Sequence, residues 1–259
     1  MNLLKNIFRI FWRSWFYGWV LFSIVAVLPL LIVLISFERF YKLFMKIAMF
    51  WGKTILFAMG FKPVVFAEEE ILPGKSYMFI ANHTSLIDIM LMLAVMKNPA
   101  VFVGKKEVRN IPVFGFVARK TSILVDRSDA DSRKEVYISA QKRLSQGLSM
   151  VIFPEGLVPD DQDIILSEFK NGAFRLAIEH QIPIVPMTFY DTKKRFSWTF
   201  FSGSPGKLRV KIHKFMQTKG LGLDAMENLK QEAYNIIYDE LVNDKKDTPV
   251  ALSKGQKNE

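Results

Sequence analysis

The chain has 259 residues, of which 50% are apolar and 23% are charged, so a disordered or collagen-like protein is excluded. It contains no cysteine, which excludes disulfide frameworks, cysteine-ligated zinc or iron–sulfur centres and thiol nucleophiles. The formal net charge of +10 indicates an anionic partner, either nucleic acid or a membrane surface.

The basic charge is concentrated in residues 1–62. This segment has eight basic residues and one acidic residue, so it carries +7 of the total +10. Between Arg13 and Glu38 there is no charged side chain, and the run exceeds the ~20 apolar residues that cross a bilayer. A nucleic-acid-binding groove does not normally place its lysine and arginine residues beside such an apolar run. The segment therefore predicts an N-terminal hydrophobic membrane anchor. We expect a membrane protein whose catalytic domain lies on the cytoplasmic face.

The topology of this anchor has more than one interpretation. Pro29 interrupts the apolar run, and both flanks are basic, which disfavours a straight span. On a helical wheel, four bases of the following segment fall within about 60° of one another, as in a helix that lies in the membrane interface: Arg39, Lys42, Lys46 and Lys53. Two monotopic or re-entrant helices and a single span both fit the sequence, and a buried core helix is the third alternative.

Residues 63–245 alternate between short β-rich runs and helical patterns, and a polar tail follows at 246–259. The break from the anchor is placed at Pro63 and the acidic run 68–70. The candidate strands are 77–81, 100–103, 122–125, 150–153, 184–190 and 208–212. The candidate helices are 86–96, 112–118, 131–145, 171–179 and 224–242. This alternation predicts an α/β domain with a mixed, mostly parallel sheet covered by helices.

The sharpest local feature is the segment YMFIANHTSLID at residues 77–88. His83 follows an apolar strand and precedes a helix, which is where α/β sheets bind ligands. Asp88 lies five residues later, and a carboxylate on one imidazole nitrogen raises the basicity of the other. The pair is a candidate general base for a hydroxyl that attacks an acyl carbon. The spacing alone also fits a structural capping pair.

Five segments occur in the order found in the glycerolipid acyltransferase family. NHTSLID at 82–88 resembles that family's His-x4-Asp motif, and ILVDR at 123–127, FPEG at 153–156 and IPIVP at 182–186 resemble its other signatures. FKNGAF at 169–174 is similar to a segment of the lysophosphatidate acyltransferase branch. The similarity runs over about residues 75–187. It is lost after Gly156, where the family continues with a small hydroxyl residue and arginine but this chain has LVPD.

The resemblance implies a glycerol-3-phosphate acyltransferase-like fold and an O-acyltransferase activity. The enzyme would move an acyl group from acyl-CoA or acyl carrier protein to the free hydroxyl of 1-acylglycerol 3-phosphate, which makes phosphatidate. His83 would be the base and Asp88 would orient it, with no metal or other cofactor, and backbone N–H groups near the helix start are candidate donors to the oxyanion. The implied partners are lysophosphatidate, an acyl thioester and the lipid bilayer, with acyl carrier protein as one possible donor and no nucleic acid.

Several residues that follow strands are candidates for substrate binding. A guanidinium can hold a phosphate bidentately, so an arginine after a strand is the first candidate, with a salt bridge to a neighbouring aspartate as the alternative. The resemblance assigns the FPEG acid to positioning of the glycerol phosphate, and two lysines are further phosphate candidates that also fit a solvated surface. The full set is Arg127, Glu155, Gly156, Lys105 and Lys170.

Other functions stay open at this point. One alternative keeps the chemistry and changes the acceptor to a different lysophospholipid or to glycerol 3-phosphate. Another is a non-catalytic membrane lipid-binding protein, which the presence of both His83 and Asp88 disfavours. His180 and His213 match no motif and are interpreted as ordinary structural residues. The aromatic run from Trp198 to Phe201 is expected to pack in the core, with lipid contact as the alternative.

Overall fold

The structure is a computed structural model that describes residues 2–126, 129–157 and 164–247. The helices are α1 Asn2–Ala26, α2 Leu28–Ser36, α3 Tyr41–Ala58, α4 Ile87–Val95, α5 Phe114–Thr121, α6 Ala130–Ser145, α7 Gly172–Glu179, α8 Thr192–Arg195 and α9 Met226–Asp247. The strands are β1 Phe61–Ala67, β2 Met78–Ala81, β3 Ala100–Lys105, β4 Ile123–Val125, β5 Ser149–Ile152, β6 Ile184–Phe189 and β7 Gly206–Ile212. Short 3-10 turns occupy Glu38–Phe40, Lys106–Asn110 and Leu223–Ala225.

The strands form one sheet in the order β1-β7-β6-β2-β5-β3-β4. Five neighbouring strands from β6 to β4 run parallel, whereas β7 is antiparallel to β6 and parallel to β1. Phe79 in the central strand β2 pairs with Val151 in β5 and with Val185 in β6. The predicted mixed, mostly parallel sheet is therefore confirmed, and the carboxyl ends of β2, β5 and β6 meet at one edge.

The central strands are apolar along their whole length because helices cover both faces of the sheet. Every residue of β2, β5 and β6 is buried, as expected of strands that lack a solvent face. α3 packs against α4, and a Cβ added at Gly52 would lie 2.8 Å from the Cβ of Leu93. Gly52 therefore permits the close approach of α3 to α4.

Strand β1 is absent from the sequence prediction, which treated Pro63 as a break. Pro63 pairs with Leu208 of β7, and β1 is the outermost strand on that side of the sheet. An edge strand tolerates proline because one row of its backbone groups has no ladder partner to lose. The prediction was wrong here, since a proline in a short β-rich run fits an edge strand as well as a break.

Several helix boundaries also differ from the prediction, most of all in α5 and α9. α5 begins two residues later than expected because Val113 has a φ of +61°, which keeps the chain out of the helix until Phe114. α9 continues to Asp247, beyond the predicted end at residue 242. The predicted tail lies outside the described residues from position 248 onward.

The N-terminal helices contribute to the same hydrophobic core as the sheet. Trp12 and Phe16 of α1 are buried in that core, as are Phe44 and Ile55 of α3. The inward face of α3 thus matches the core-helix alternative, although three of its lysines are exposed: Lys42, Lys46 and Lys53. Arg39, the fourth base of the predicted stripe, lies in the 3-10 turn before α3.

The opposite side of α1 exposes a row of large apolar side chains. Each member is at least half exposed, and the helical spacing puts the row on one face: Leu4, Phe8, Phe11, Trp15 and Phe22. Among the described helices, none alone has the length and hydropathy of a membrane span. α1 and α2 meet the criterion only as a pair, bent by 65° at their junction.

Candidate active site

The site lies where β2 ends and the chain turns toward α4. Asn82, the first residue after β2, binds the backbone of Phe189 at the end of β6 through two hydrogen bonds. Asn82 Nδ2 donates to the Phe189 oxygen at 3.0 Å, and the Phe189 N–H donates to Asn82 Oδ1 at 2.8 Å. Asn82 therefore holds the backbone directly before His83 against the end of β6. It is the first residue of the NHTSLID segment, and the sequence analysis assigned no role to it.

His83 and Asp88 are brought together by the turn between them. His83 Nδ1 lies 2.8 Å from Asp88 Oδ2. A carboxylate can only accept a hydrogen bond, so Nδ1 carries the proton of the neutral ring and Nε2 keeps its lone pair. The His83 side chain is 19% exposed and the Asp88 side chain is fully buried. The arrangement orients a base whose free nitrogen can still be reached by a substrate.

Asp88 also organises the backbone of the turn. Its Oδ2 accepts the N–H groups of Thr84 and Ser85, each at 2.7 Å. These amides precede α4, so the carboxylate lies at the positive end of that helix. Asp88 therefore makes both contacts that the sequence left as alternatives: it binds the imidazole of His83, and it accepts the backbone N–H groups before α4. Asp88 Oδ1 is buried and has no hydrogen-bond partner within the part of the chain that the structure describes.

Phe153, directly after β5, supports the ring of His83. The two ring centroids are 4.3 Å apart and the ring planes differ by 20°, which is a stacked arrangement. A stacked neighbour restricts rotation of the imidazole. Phe153 opens the FPEG segment, and sequence analysis assigned it no function.

Glu155 binds the backbone of the turn between His83 and Asp88. Its Oε1 accepts the N–H of His83 at 2.7 Å, and its Oε2 accepts the N–H of Ser167 at 2.8 Å. The side chain is buried, and burial raises the pKa of this carboxyl, while the two N–H donors act in the opposite direction. Both oxygens are thus occupied by backbone groups. In this structure Glu155 is a positioning residue for His83, and no sequence pattern marks Ser167 as its second partner.

Gly156 makes the turn that aims Glu155 back at the sheet edge. Its φ is +81°, a left-handed conformation that costs little for glycine and more for other residues. Its N–H donates to the Phe153 oxygen at 3.0 Å, which closes the turn. The glycine therefore has a conformational role beside the glutamate.

Of the three predicted phosphate ligands, the structure describes the two lysines but not the arginine. Lys105 is the last residue of β3 and is half-buried. The Lys170 side chain is exposed, with Nζ 3.9 Å from Glu168, while its backbone N–H donates to the Pro154 oxygen at 2.8 Å. Lys170 thus contributes to the FPEG turn through its backbone. Arg127 lies outside the described residues.

The backbone N–H groups at the start of the turn are not free to bind an oxyanion. The N–H of His83 is bound to Glu155, and those of Thr84 and Ser85 are bound to Asp88. The sequence analysis left the oxyanion donors among the amides near the helix start unassigned, and the amides of positions 83–85 already have carboxylate partners. Within the described ranges, no group of three or more histidine or acidic side chains is arranged to hold a metal ion.

The sequence profile of the Acyltransferase family matches residues 63–190, a range that contains His83, Asp88, Phe153 and Glu155. Residues 63–190 belong to the Acyltransferase family. The relatives of this acyltransferase domain include the 1-acyl-sn-glycerol-3-phosphate acyltransferase of Saccharomyces cerevisiae, which is 29% identical over 178 residues. That match covers 67% of this chain and 58% of the yeast protein, so the chain spans little more than half of that relative's length.

Two further comparisons extend beyond the acyltransferase domain. The 1-acyl-sn-glycerol-3-phosphate acyltransferase alpha of Mus musculus is 27% identical over 226 residues, covering 83% of this chain and 75% of the mouse protein. The crystal structure of the 1-acyl-sn-glycerophosphate (LPA) acyltransferase PlsC from Thermotoga maritima superposes with a TM-score of 0.75. It covers 99% of this chain and 100% of the other at 22% identity, which confirms the predicted fold.

Proposed function

We propose that the protein is a 1-acylglycerol-3-phosphate O-acyltransferase that makes phosphatidate for phospholipid synthesis. The observation that carries the proposal is the 2.8 Å contact between His83 Nδ1 and Asp88 Oδ2 at the carboxyl end of β2. This contact lies inside the acyltransferase domain, and the yeast and mouse relatives carry the name of this activity. No cofactor takes part in the proposed reaction, because the acyl donor is already an activated thioester.

In the proposed reaction His83 acts as general base. Nε2 takes the proton of the free glycerol hydroxyl while the hydroxyl oxygen attacks the thioester carbonyl carbon. The tetrahedral intermediate then collapses, the carbon–sulfur bond breaks, and the leaving thiolate takes the proton back from the imidazolium. Asp88 stabilises the imidazolium through Nδ1. General-base catalysis of this kind contributes ~10²–10⁴-fold to a rate.

The acceptor phosphate is proposed to lie over the β3–β4 side of the same sheet edge. Lys105 at the end of β3 pairs in register with Val125 at the end of β4, and Arg127 follows two residues later in the sequence. Parallel strands present their carboxyl ends at one edge, which is also the edge of His83. We assign the phosphate to Arg127 with Lys105 as a second cation.

Membrane association is part of the proposal. The apolar row on α1 faces outward, and the N-terminal segment carries most of the net positive charge. A lysophosphatidate can keep its acyl chain in lipid while its head group enters the site, which avoids a cost of ~0.8 kcal/mol for each methylene moved into water. We place the catalytic domain on the cytoplasmic face, where an acyl-CoA or acyl carrier protein donor is supplied.

The test compares full-length wild type, His83→Ala and His180→Ala in phospholipid–detergent micelles. Acyl-CoA or acyl carrier protein thioester is the donor, and the acceptors are lysophosphatidate, lysophosphatidylcholine and glycerol 3-phosphate. The acylated product of each acceptor is measured by mass spectrometry. We expect wild type and His180→Ala to acylate lysophosphatidate, and His83→Ala to lose the activity while keeping its membrane binding.

His180 is a suitable control because it caps the end of α7, away from the His83 turn. Preference for glycerol 3-phosphate or for a lysolipid without a phosphate monoester would replace the proposed acceptor. Equal activity in wild type and His83→Ala would remove the assigned base. Absence of transfer with every donor and acceptor would favour the lipid-binding alternative.

A further inference from the structure

A loop of the catalytic domain exposes three aromatic side chains. In residues 197–202, here called the aromatic loop, Trp198 is 50% exposed, Phe200 44% and Phe201 50%. The expectation that this run packs in the core is therefore wrong. Phe196, directly before the loop, is the aromatic side chain of this segment that packs in the core. An exposed tryptophan and two exposed phenylalanines on one short loop form an apolar surface that a soluble protein has no structural need for.

Arg13 of α1 holds this loop in a defined shape. Its Nη2 donates to three backbone oxygens of the loop, those of Ser197 at 2.7 Å, Thr199 at 2.9 Å and Ser202 at 3.3 Å. Its guanidinium also lies over the Phe200 ring, 5.4 Å from the centroid. Arg13 is only 3% exposed, so the cation serves the loop and not solvent. The aromatic side chains are consequently presented outward by a braced backbone.

A chain of aromatic contacts connects the base of the aromatic loop to α1. Trp12 packs edge-to-face on Phe196 at 5.5 Å and stacks on Phe8 at 6.5 Å. Phe8 belongs to the exposed row of α1 described above. Trp12 and Phe196 are both buried, so these contacts join the aromatic loop to α1 through the core.

Basic side chains lie on α1 and beside the aromatic loop. Lys5 and Arg9 precede Arg13 by two turns and one turn of α1, and Lys194 lies in α8 just before the loop. Lys5 and Lys194 are exposed. Exposed tryptophan and phenylalanine flanked by lysine and arginine suit the boundary between anionic head groups and acyl chains. A protein partner would have to cover both the apolar row and the charges, which one lipid surface does at once.

We propose that the aromatic loop is a second membrane-contact element, belonging to the catalytic domain, and that its partner is the surface of a phospholipid bilayer. The inference rests on the proposed membrane-bound function. The loop is also connected to the turn that contains His83. Ser85, two residues after His83, donates a hydrogen bond from its Oγ to the backbone oxygen of Phe196. The depth at which the loop enters the lipid therefore sets the height of the dyad above the membrane.

The absence of cysteine allows a direct test in the full-length chain. Phe201→Cys provides a unique thiol for an environment-sensitive fluorophore, and Leu223→Cys provides a matched control. Leu223 is similarly exposed, and the 3-10 turn that contains it lies against α7 and α9. Each labelled protein is mixed with vesicles of phosphatidylethanolamine and phosphatidylglycerol, and flotation confirms binding. We expect a blue shift at position 201, with quenching by lipids that carry a nitroxide on the acyl chain, and neither effect at position 223.

A pair of double variants tests the contribution to binding and turnover. Trp198→Ser with Phe201→Ser is compared with Leu72→Ser and Leu223→Ser, which also removes two half-exposed apolar side chains. We expect about a tenfold weaker vesicle partition for the first pair only, because two half-exposed aromatic side chains lose their lipid contact. Turnover of a short-chain, water-soluble acceptor should be the same in both pairs, whereas turnover of vesicle-bound acceptor should fall only in the first.

The outcomes separate this inference from the proposed function. A probe at position 201 that behaves like the one at 223 on vesicle-bound protein overturns the inference, even if acyl transfer is observed. Failure of the wild type to bind vesicles overturns it as well. A blue shift at 201 that depends on protein concentration without vesicles would assign the loop to a second copy of the chain. Insertion at 201 without acyl transfer by wild type would leave this inference standing and remove the proposed function.

Discussion

Replacement of Asp88 by asparagine separates the charge of this side chain from its geometry. Asp88 Oδ2 accepts hydrogen bonds from His83 Nδ1, the Thr84 N–H and the Ser85 N–H, while Oδ1 has no partner among the described residues. The amide oxygen of asparagine can replace Oδ2, and its NH2 group then occupies the position of Oδ1. The turn and the orientation of His83 should therefore be retained, whereas the negative charge beside the imidazole is lost.

The substitution should lower both the stability of the protein and its catalytic rate. Three charge-assisted hydrogen bonds become neutral, which costs about 1 kcal/mol each. Removal of a buried charge offsets part of this cost, and the buried NH2 group without a partner adds about 1–3 kcal/mol. The imidazolium formed during the reaction loses its counter-charge, so kcat/KM should fall by ~10²–10⁴-fold, which corresponds to about 3–5 kcal/mol.

The assay follows the thiol released from acyl-CoA with a chromogenic disulfide reagent. The chain contains no cysteine, so the protein contributes no background. Asp191→Asn is the matched control, because Asp191 is also buried but binds Arg209 at 2.8–2.9 Å. It should lower the melting temperature without the loss in kcat/KM of the folded enzyme. A folded Asp88→Asn variant with kcat/KM within a few-fold of wild type would refute the role assigned to the carboxylate.

Three further predictions concern stability and its coupling to the site. Glu155→Gln can accept only one of the N–H groups of His83 and Ser167, so it should lose about 1–3 kcal/mol in urea unfolding and also lower kcat/KM, while unchanged kinetics would argue against the positioning role. Arg13→Ala leaves three loop carbonyls without their donor, and we expect a loss of about 3 kcal/mol and faster proteolysis within residues 197–202. His213 is buried against Thr188, and burial followed by the charge of Lys211 lowers its pKa. The unfolded chain then binds the proton more tightly, so stability falls as pH drops below about 6.5 toward the lowered value. His213→Gln should reduce that acid loss in melting curves, and an unchanged pH dependence would contradict the assignment.

The parts of the molecule that sequence predicts are those whose signals are local. His83 and Asp88 are five residues apart, so the strand, the turn and the dyad geometry can be anticipated from one segment. The alternation of strands and helices likewise specifies a mostly parallel sheet. Contacts between distant segments carry no such signal. Glu155 reaches the backbone of His83 across 72 positions, and Arg13 reaches the Ser197 oxygen across 184.

The predictions for strand β1 and for the aromatic loop were wrong for a related reason. Pro63 is compatible with a strand only because β1 is at the edge of the sheet, and strand order is a property of the whole fold. Trp198 and Phe201 have the composition of core residues, and their exposure depends on the brace that Arg13 makes from another element. In both cases the deciding contact is made by a residue that is distant in the sequence, so neighbouring positions carry no signal for it.

The occupied amides of the catalytic turn constrain how the reaction's negative charge can be stabilised. The N–H groups at positions 83, 84 and 85 all point to carboxylates, two to Asp88 and one to Glu155. Two acids beside a developing oxyanion would oppose it unless cations approach from the other side. The imidazolium of His83 supplies one positive charge at the moment the proton is transferred. If the basic residues proposed to bind the phosphate, Lys105 among them, also lie near the oxyanion, they would supply another and would favour the attack as well.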